Sequence, residues 1–324
     1  MEENTEQRLD LTLFSEKIQE LKERIASIVV GQEQTVDLVL TAILANGHVL
    51  IEGVPGVAKT LLARLIARLI DADFSRIQFT PDLMPSDVLG TTVFNMKTNG
   101  FDFHQGPIFA DIVLVDEINR APAKTQAALF EVMEERQVSI DGTTHRMGEL
   151  YTILATQNPV EQEGTYKLPE AQLDRFLMKI TMDYPSLEEE VNILERHHTN
   201  AALVKLEDVT PVLTKEELLS LRALMSRVFV DRTLLQYIAL IVQQTRTSKA
   251  VYLGASPRAS VAMLQSSKAY ALLQGRDFVT PEDIKFVAPY VLQHRLILTA
   301  EAEMEGYSPV KVTQRLIDKV EVPK

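Results

Sequence analysis

The chain has 324 residues, 46% hydrophobic and 24% charged, which is an ordinary globular composition and enough chain for about two domains. The 33 Lys and Arg against 45 Asp and Glu give a net charge of -12, which argues against a surface built to wrap nucleic acid but leaves room for a local basic pore. Because the chain contains no cysteine, disulfides and thiolate zinc sites are excluded.

Targeting signals are absent from the sequence pattern. The acidic, polar residues 1–10 do not resemble a signal peptide, and no apolar run approaches the ~20 residues needed to span a bilayer. The sequence therefore predicts a cytoplasmic protein, whose only membrane association would be peripheral and through a partner. His197 and His198 point in different directions on a helix, so they indicate an exposed helix face rather than a pair of metal ligands.

Helical and strand patterns alternate along the first half of the chain. Apolar spacing predicts one helix from Leu13 to Ile25 and a second that ends near Ala45. Five strands are predicted, from His48 to Glu52, Arg76 to Phe79, Ile112 to Val115, Thr152 to Ala155, and Phe176 to Met182. Helices from Leu61 to Ile70 and from Lys124 to Gln137 follow the first and third strands. This order predicts an α/β fold with a parallel sheet and right-handed crossovers.

A glycine-rich loop follows the first predicted strand. Residues 53–60 read Gly-Val-Pro-Gly-Val-Ala-Lys-Thr, between the apolar run 49–51 and a helical pattern. Such a loop presents free backbone amides and a positive helix dipole to an anion, whereas a simple turn would not need those neighbours. Lys59 adds a positive charge, and Thr60 adds a hydroxyl suited to Mg²⁺. Ala58 replaces the second glycine of the usual pattern, and its methyl group is tolerable if the residue has helical dihedrals, although it crowds the phosphate slightly.

Two acidic residues end the third predicted strand. The aliphatic run 112–115, typical of a strand buried on both faces, leads directly into Asp116 and Glu117. Beside a magnesium nucleotide, Asp116 can hold the metal through its water shell while Glu117 orients and deprotonates the attacking water. Taken alone, such acids could equally be helix N-caps, but the loop before them favours the catalytic interpretation.

Two hairpins and a helical region complete the predicted architecture. Turns at Asn99-Gly100 and Asp141-Gly142 predict hairpins at about 91–105 and 137–147, although both could be surface decoration. From Pro185 onward strands vanish and helix capping signals become dense, which predicts an α/β domain over 1–184 and a helical domain over 185–324. Residues after about Gly306 show little periodicity and are left unassigned.

These features together resemble the MoxR family of AAA+ ATPases, in the helix-2-insert clade, over nearly the whole chain. The resemblance is carried by the loop at 53–60, Val30-Gly-Gln32, Val115-Asp-Glu-Ile-Asn-Arg-Ala121, Ala155-Thr-Gln-Asn-Pro159, Leu168-Pro-Glu-Ala-Gln-Leu-Asp-Arg-Phe176 and Gly254-Ala-Ser-Pro-Arg258. It implies an AAA+ domain with a parallel five-stranded sheet flanked by helices, followed by a smaller all-α lid. It also implies that ATP and Mg²⁺ are the cofactors, and that Ala58 is a residue this family uses.

The resemblance further implies roles for residues outside the phosphate loop. Asn158 would sense the γ-phosphate, Arg175 would be the arginine finger that reaches a neighbouring subunit, and Arg258 would be a second sensor from the lid. From the residues alone, Asn158 could instead be a turn former, Arg175 an ion-pair partner of Asp174 or Glu170, and Arg258 a first-turn helix residue.

The implied site has three parts. The catalytic set is Glu117, Asn158, Arg175 and Arg258. The nucleotide-binding set is Gly31, Gln32, Gly53, Pro55, Gly56, Val57, Ala58, Lys59, Thr60, Leu61 and Arg258. The metal would be held by Thr60 and Asp116.

The resemblance implies a hexameric ring whose hairpins line a pore and which remodels or matures client proteins, with partners that carry von Willebrand factor A domains. A nucleic-acid translocase is the alternative, but the second hairpin offers only His145 and Arg146 as cations. A third hypothesis, a binding module that uses nucleotide only as a switch, is disfavoured by Glu117, because a water-activating acid indicates hydrolysis.

Overall fold

The computed structural model describes residues 9–159, 165–199 and 206–323. The first part of the chain contains, in order, α1 (Thr12–Ile28), α2 (Glu33–Leu44), β1 (Val49–Gly53), α3 (Lys59–Leu69), β2 (Phe74–Gln78), α4 (Pro85–Leu89), β3 (Gly90–Asn95), β4 (Gly100–Gln105), β5 (Ile112–Asp116), α5 (Ala123–Glu135), β6 (Gln137–Ile140), β7 (Thr143–Arg146), β8 (Thr152–Gln157), α6 (Glu170–Leu173) and β9 (Met178–Met182). The second part contains α7 (Leu187–His198), α8 (Lys215–Ala223), α9 (Arg232–Thr247), β10 (Val251–Leu253), α10 (Pro257–Leu273), α11 (Pro281–Leu292), β11 (Ile297–Leu298), α12 (Ala300–Met304) and α13 (Pro309–Lys319).

The five predicted strands form one parallel sheet, in the order β2-β5-β8-β1-β9. Helices cover the sheet on both faces, and all five residues of β5 are buried, as its aliphatic run predicts. The carboxyl ends of β1, β5 and β8 therefore meet at one edge of the sheet. The strand of the glycine-rich loop and the strand of the paired acids are not adjacent, since β8 runs between them.

Both predicted hairpins are present as separate two-stranded antiparallel sheets, β3 with β4 and β6 with β7. At the tip of the second hairpin, Asp141 and Gly142 have φ of 50° and 79°, as a two-residue turn with both central residues left-handed requires. Phe103 on the first hairpin stacks on His145 of the second, with ring centroids 4.2 Å apart. The two hairpins are therefore in contact with each other.

The helical region differs from its prediction in two respects. It is not free of strands, because β10 and β11 pair into a short antiparallel ribbon. The segment left unassigned after Gly306 contains α13, which buries Val312, Leu316 and Ile317 on one side. The periodicity that marks this helix spans only two turns, which is too short to stand out without its packing partners.

The helical region is anchored to the edge of the sheet just beyond α11. The buried guanidinium of Arg295 donates to Asp174 Oδ1 at 2.7 Å and to the carbonyl of Phe176 at 2.7 Å. His294 Nε2 lies 3.0 Å from the same carbonyl, and Gln293 donates to the carbonyl of Lys179 on β9 at 2.6 Å. These bonds fix the helical region beside β9. Over the described part of the chain, no helix is both long and apolar enough to cross a membrane.

Candidate functional site

The loop between β1 and α3 has the form of a phosphate cradle. Gly56 has φ of 90°, which glycine adopts without strain, and Val57 is buried and fixes the loop to the core. No side chain caps the 11-residue α3, and its first turn contains no acid. The first amides of α3 are therefore free for an anion, at the positive end of the helix dipole. Lys59 Nζ donates to the carbonyl of Gly53 at 2.5 Å, which folds the ammonium back across the loop.

Ala58 does not have the right-handed helical dihedrals in which its methyl group would be free of strain. Its φ of 61° and ψ of 22° lie in the left-handed region, directly before the first turn of α3. A left-handed conformation costs an L-residue roughly 1–2 kcal/mol, which explains why the usual pattern has glycine at this position. The loop therefore accommodates the methyl group under strain.

The paired acids lie at the end of β5 with their orientations fixed by neighbouring strands. Arg76 on β2 donates to Asp116 Oδ2 at 2.6 Å, and Gln78 on the same strand donates to Glu117 Oε2 at 2.8 Å. Glu117 has φ of 56°, a strained backbone that clusters at functional sites. Its side chain makes no cap bond to the short helical turn after it. The N-cap alternative is therefore wrong for Glu117.

Electrostatics link the cradle to the acids. Burial lowers the pKa of the Lys59 ammonium, while the negative charges of Asp116 and Glu117 oppose that shift. Both acids are thus close enough to act on the lysine of the cradle. The loop and the strand end face one space, although β8 separates their strands.

Thr156, which the sequence analysis did not assign, connects the two acids. Its buried hydroxyl donates to Asp116 Oδ1 at 3.1 Å and accepts from the backbone N–H of Glu117 at 3.0 Å. The residue lies inside the motif at 155–159, but its role depends on the pairing of β5 with β8, which that motif alone does not specify. Asn158 is buried one residue beyond the end of β8, at the same edge of the sheet.

A cavity of about 260 Å³ adjoins the cradle. Its lining residues come from the loop and the first turn of α3, from the end of α1 and the segment after it, and from α7 and the residue Pro185 before it: Ile28, Val29, Val30, Gln32, Gly56, Val57, Ala58, Leu61, Pro185, Ile193, Arg196 and His197. The lining is mainly apolar, as a pocket for a nucleobase requires. Gln32 and Leu61, both predicted to bind nucleotide, are therefore at the cavity.

Gly31 lies between two residues that line this cavity, and its left-handed backbone favours glycine. Its φ is 73°, and a Cβ would lie 2.4 Å from the carboxyl carbon of Glu189 on α7. Glu189 is held in the capping box of that helix by the backbone N–H of Ser186 at 2.7 Å. The Glu189 side chain of α7 therefore lies directly against the backbone of Gly31.

The residues of α7 are the part of the cavity that sequence reasoning missed. Arg196 ties the helix to the end of α1 by donating to the carbonyls of Ala26 and Ser27 at 3.1 and 2.7 Å. His197 is exposed, as expected, yet it also lines the cavity. Only tertiary packing brings this helix over the loop, so no local pattern could identify it.

Arg175 and Arg258 lie together around the carboxylate of Glu134. Arg175 forms a 2.5 Å ion pair with Glu134, and Arg258 lies 3.7 Å from the same carboxylate and 3.8 Å from Asp174. Within the described residues, their ion pairs connect them to no residue of the loop. The proposed partner of Arg175 was Asp174 or Glu170, whereas the structure pairs it with Glu134.

The chemistry of the site fits a magnesium nucleotide. Free amides at α3 and the Lys59 ammonium suit phosphates, and the Thr60 hydroxyl and the Asp116 carboxylate are oxygen ligands of the kind Mg²⁺ prefers. Mg²⁺ is generally bound by one or two carboxylates together with substrate phosphates. The apolar cavity beside the loop has room for a base. Cradle, acids and cavity therefore form one candidate nucleotide site.

Comparison with known proteins agrees with this geometry. Residues 48–178 match the family model of the ATPase family associated with various cellular activities (AAA), and residues 243–318 match the AAA lid domain. Chaperone MoxR1 of Mycobacterium tuberculosis is 45% identical over 93% of this chain and 81% of its own length. Protein MoxR of Methylorubrum extorquens is 31% identical over 91% of each chain. A crystal structure of a protein from Cytophaga hutchinsonii superposes with a TM-score of 0.89 at 41% identity and covers 97% of each chain. The chain belongs to the MoxR family of AAA+ ATPases.

Proposed function

We propose that the protein hydrolyses ATP in a Mg²⁺-dependent reaction, as an oligomeric, hexameric AAA+ ring that remodels or matures client proteins. The observation that carries the catalytic part is the placement of the loop after β1 and the acids after β5 at the same edge of the sheet. Thr156 of β8, which pairs with Ile51 of β1, hydrogen-bonds to Asp116 and to the N–H of Glu117. Phosphoryl transfer needs positioning and charge stabilisation rather than covalent chemistry, and this arrangement supplies both.

Each residue of the site has a distinct task in this proposal. The α3 amides and Lys59 bind the phosphates, Thr60 and Asp116 hold Mg²⁺, and Glu117 takes the proton of the attacking water. Bound Mg²⁺ would neutralise part of the negative charge of the phosphates. Asn158, at the end of the strand between the cradle and the acids, senses the γ-phosphate.

An oligomer would give Arg175 its catalytic role. An arginine beside the γ-phosphate contributes on the order of 10³ to 10⁵ in rate in other NTPases. Arg175 and Arg258 share the carboxylate of Glu134. We assign Arg175 to the nucleotide of a neighbouring subunit, as its finger, and Arg258 to the nucleotide as the second sensor from the lid. A lone subunit is then a poor catalyst.

Two substitutions test the catalytic proposal. Glu117→Gln should lower single-turnover hydrolysis by ~10²-fold or more while a fluorescent nucleotide still binds, because the amide cannot accept the proton. Lys59→Ala should instead weaken nucleotide binding, since it removes a phosphate contact. Little change in hydrolysis with Glu117→Gln would remove that residue from its role.

The client assignment rests on the relative named Chaperone MoxR1 and has its own test. We propose partners with von Willebrand factor A domains, a cytoplasmic location, and membrane association only through such a partner. Pull-down and ATPase stimulation by such a partner are expected. Failure of every partner of that type to stimulate hydrolysis would overturn the client assignment and leave the ATPase intact.

A nucleic-acid translocase remains the second candidate function, because helix-2-insert relatives include helicases. It predicts stimulation of hydrolysis by single-stranded DNA, with binding that falls steeply with salt. The net charge of -12 favours the protein client instead.

A further inference from the structure

Helix α7 has two faces with different surroundings. On one face, Ile193 and His197 line the cavity beside the cradle. On another, Leu187, Val191 and Leu194 repeat at helical spacing and are 81%, 46% and 65% exposed. We call these three residues the α7 stripe. No residue of this 12-residue helix is buried, so its apolar side chains lack a cover within the described chain.

The surroundings of the α7 stripe are acidic. Glu188, Glu190 and Glu195 are exposed on the same helix, beside the apolar residues. An apolar strip with a charged rim is typical of an interaction surface, and the sign of the rim selects the partner. A surface that covers this stripe should therefore be apolar at its centre and basic at its edge.

The helical region of the chain itself carries such a surface at β10. Tyr252 and Leu253 on β10 are 79% and 51% exposed, and the exposed cation Lys249 precedes them in the chain. We call these three residues the basic lid patch. Arg258, at the start of the helix that follows β10, shares the carboxylate of Glu134 with the proposed finger, so the patch is close in the chain to the part of the molecule that must reach a neighbour.

The two surfaces meet if a finger reaches the cradle of another copy. The face that carries Arg175 must then lie over the mouth of the neighbour's cavity, and α7 forms part of that mouth. We propose that the α7 stripe of one copy docks on the basic lid patch of the next. The contact joins two different surfaces, so it is heterologous and can close a ring. The inference rests on the proposed oligomeric ATPase.

This contact would couple nucleotide binding to assembly. A nucleotide in the cavity contacts the inner face of α7 and restricts the helix, while the neighbour covers its outer face. Because binding linkage is reciprocal, nucleotide should strengthen association, and association should strengthen nucleotide binding by the same factor.

Cross-linking tests the contact directly, because the chain has no native cysteine. One preparation carries Leu194→Cys and another carries Tyr252→Cys, both at exposed positions. With a non-hydrolysable ATP analogue and a short bismaleimide, the mixture should give a cross-linked dimer that neither preparation gives alone. Met304→Cys, at a position 89% exposed on α12, is the matched control when it replaces either partner.

Self-association gives a second measurement. The double variant Leu187→Ser, Leu194→Ser should weaken assembly in sedimentation by roughly tenfold or more, since it removes apolar area from the contact. Met304→Ser should assemble like the wild type. Nucleotide binding to the dilute, unassembled double variant should stay unchanged.

Three outcomes would overturn the inference: no cross-link in the mixture above the Met304→Cys level, a cross-link of Leu194→Cys protein to itself, or normal assembly of the double variant. If the wild type still hydrolyses ATP in these cases, the proposed function stands without this contact. Absence of hydrolysis by the assembled wild type would instead contradict the proposed function.

Discussion

Ala58 has a strained backbone conformation within the proposed phosphate-binding loop. Its φ of 61° is left-handed, a conformation that glycine would adopt without strain. We attribute this strain to the orientation that the amides of the loop need to bind phosphates. The strain is local, so its removal should change stability without changing which atoms face the phosphates.

Ala58→Gly should therefore stabilise the protein by about 1 kcal/mol, because glycine adopts this conformation freely. The matched control is Ala127→Gly, at an exposed position inside α5, which should destabilise by about 1 kcal/mol. Thermal denaturation of both variants gives the comparison. Equal losses of stability would show that Ala58 is not strained.

Thr156 on β8 holds Asp116 and Glu117 in position through its hydroxyl group. Thr156→Val keeps the shape of the side chain but removes the bond to Asp116 and the acceptor for the Glu117 amide. We expect hydrolysis to fall by roughly 10- to 100-fold while nucleotide binding stays, as for residues that orient metal ligands. Thr156→Ser keeps the hydroxyl and should restore most of the activity. A Val variant as active as the wild type would exclude this positioning role.

Among the elements, α5 and β8 are joined by one buried imidazole, that of His48 directly before β1. His48 Nε2 donates to the carbonyl of Met133 at 3.2 Å, and His48 Nδ1 accepts from the N–H of Ile153 at 3.0 Å. Only the neutral ring can do both. Burial, assisted by the charge of Arg136, lowers the pKa of His48 to about 3.

Stability should consequently fall as the pH drops below about 6.5. The unfolded chain binds a proton on His48 between about pH 3 and 6.5 while the folded chain does not, so stability rises with pH across that window. The slope is at most about 1.4 kcal/mol per pH unit for this group. Burial also lowers the pKa of His294, which adds to the slope.

His48→Gln should flatten the dependence of the melting temperature on pH between 5 and 6.5, although it lowers stability at pH 7.5. His198→Gln, at an exposed position, should leave the dependence as in the wild type. If the melting temperature of the His48→Gln protein depends on pH as steeply as that of the wild type, then folding does not lower the pKa of His48.

For the whole molecule, the decisive question is whether catalysis is shared between copies. Arg175→Ala should spare nucleotide binding and abolish hydrolysis, and Lys59→Ala should lose binding. In a mixture, a Lys59→Ala subunit can offer its intact Arg175 to the intact cradle of an Arg175→Ala subunit.

Mixing the two inactive proteins should therefore restore part of the hydrolysis, measured as phosphate release against mixing ratio. Mixing either with Glu117→Gln, Arg175→Ala double-variant protein is the control, since the added chain offers neither finger nor general base. A mixture as inactive as its components would point to a role for Arg175 within its own subunit.

The sequence by itself determined the contiguous parts of this protein: the loop at 53–60, the acids at the end of a buried strand, the five strands and both hairpins. These depend on local dihedral preferences and on the periodicity of apolar residues, which neighbouring residues specify. For the same reason a family could be identified from short motifs.

Tertiary structure alone decided which distant groups act together. The hydroxyl of Thr156 between the acids, the approach of α7 to Gly31, and the shared carboxylate of Glu134 each join segments far apart in the chain. Strand order and the docking of the helical region through Arg295 set these contacts, and both arise from packing over the whole core rather than from any local pattern.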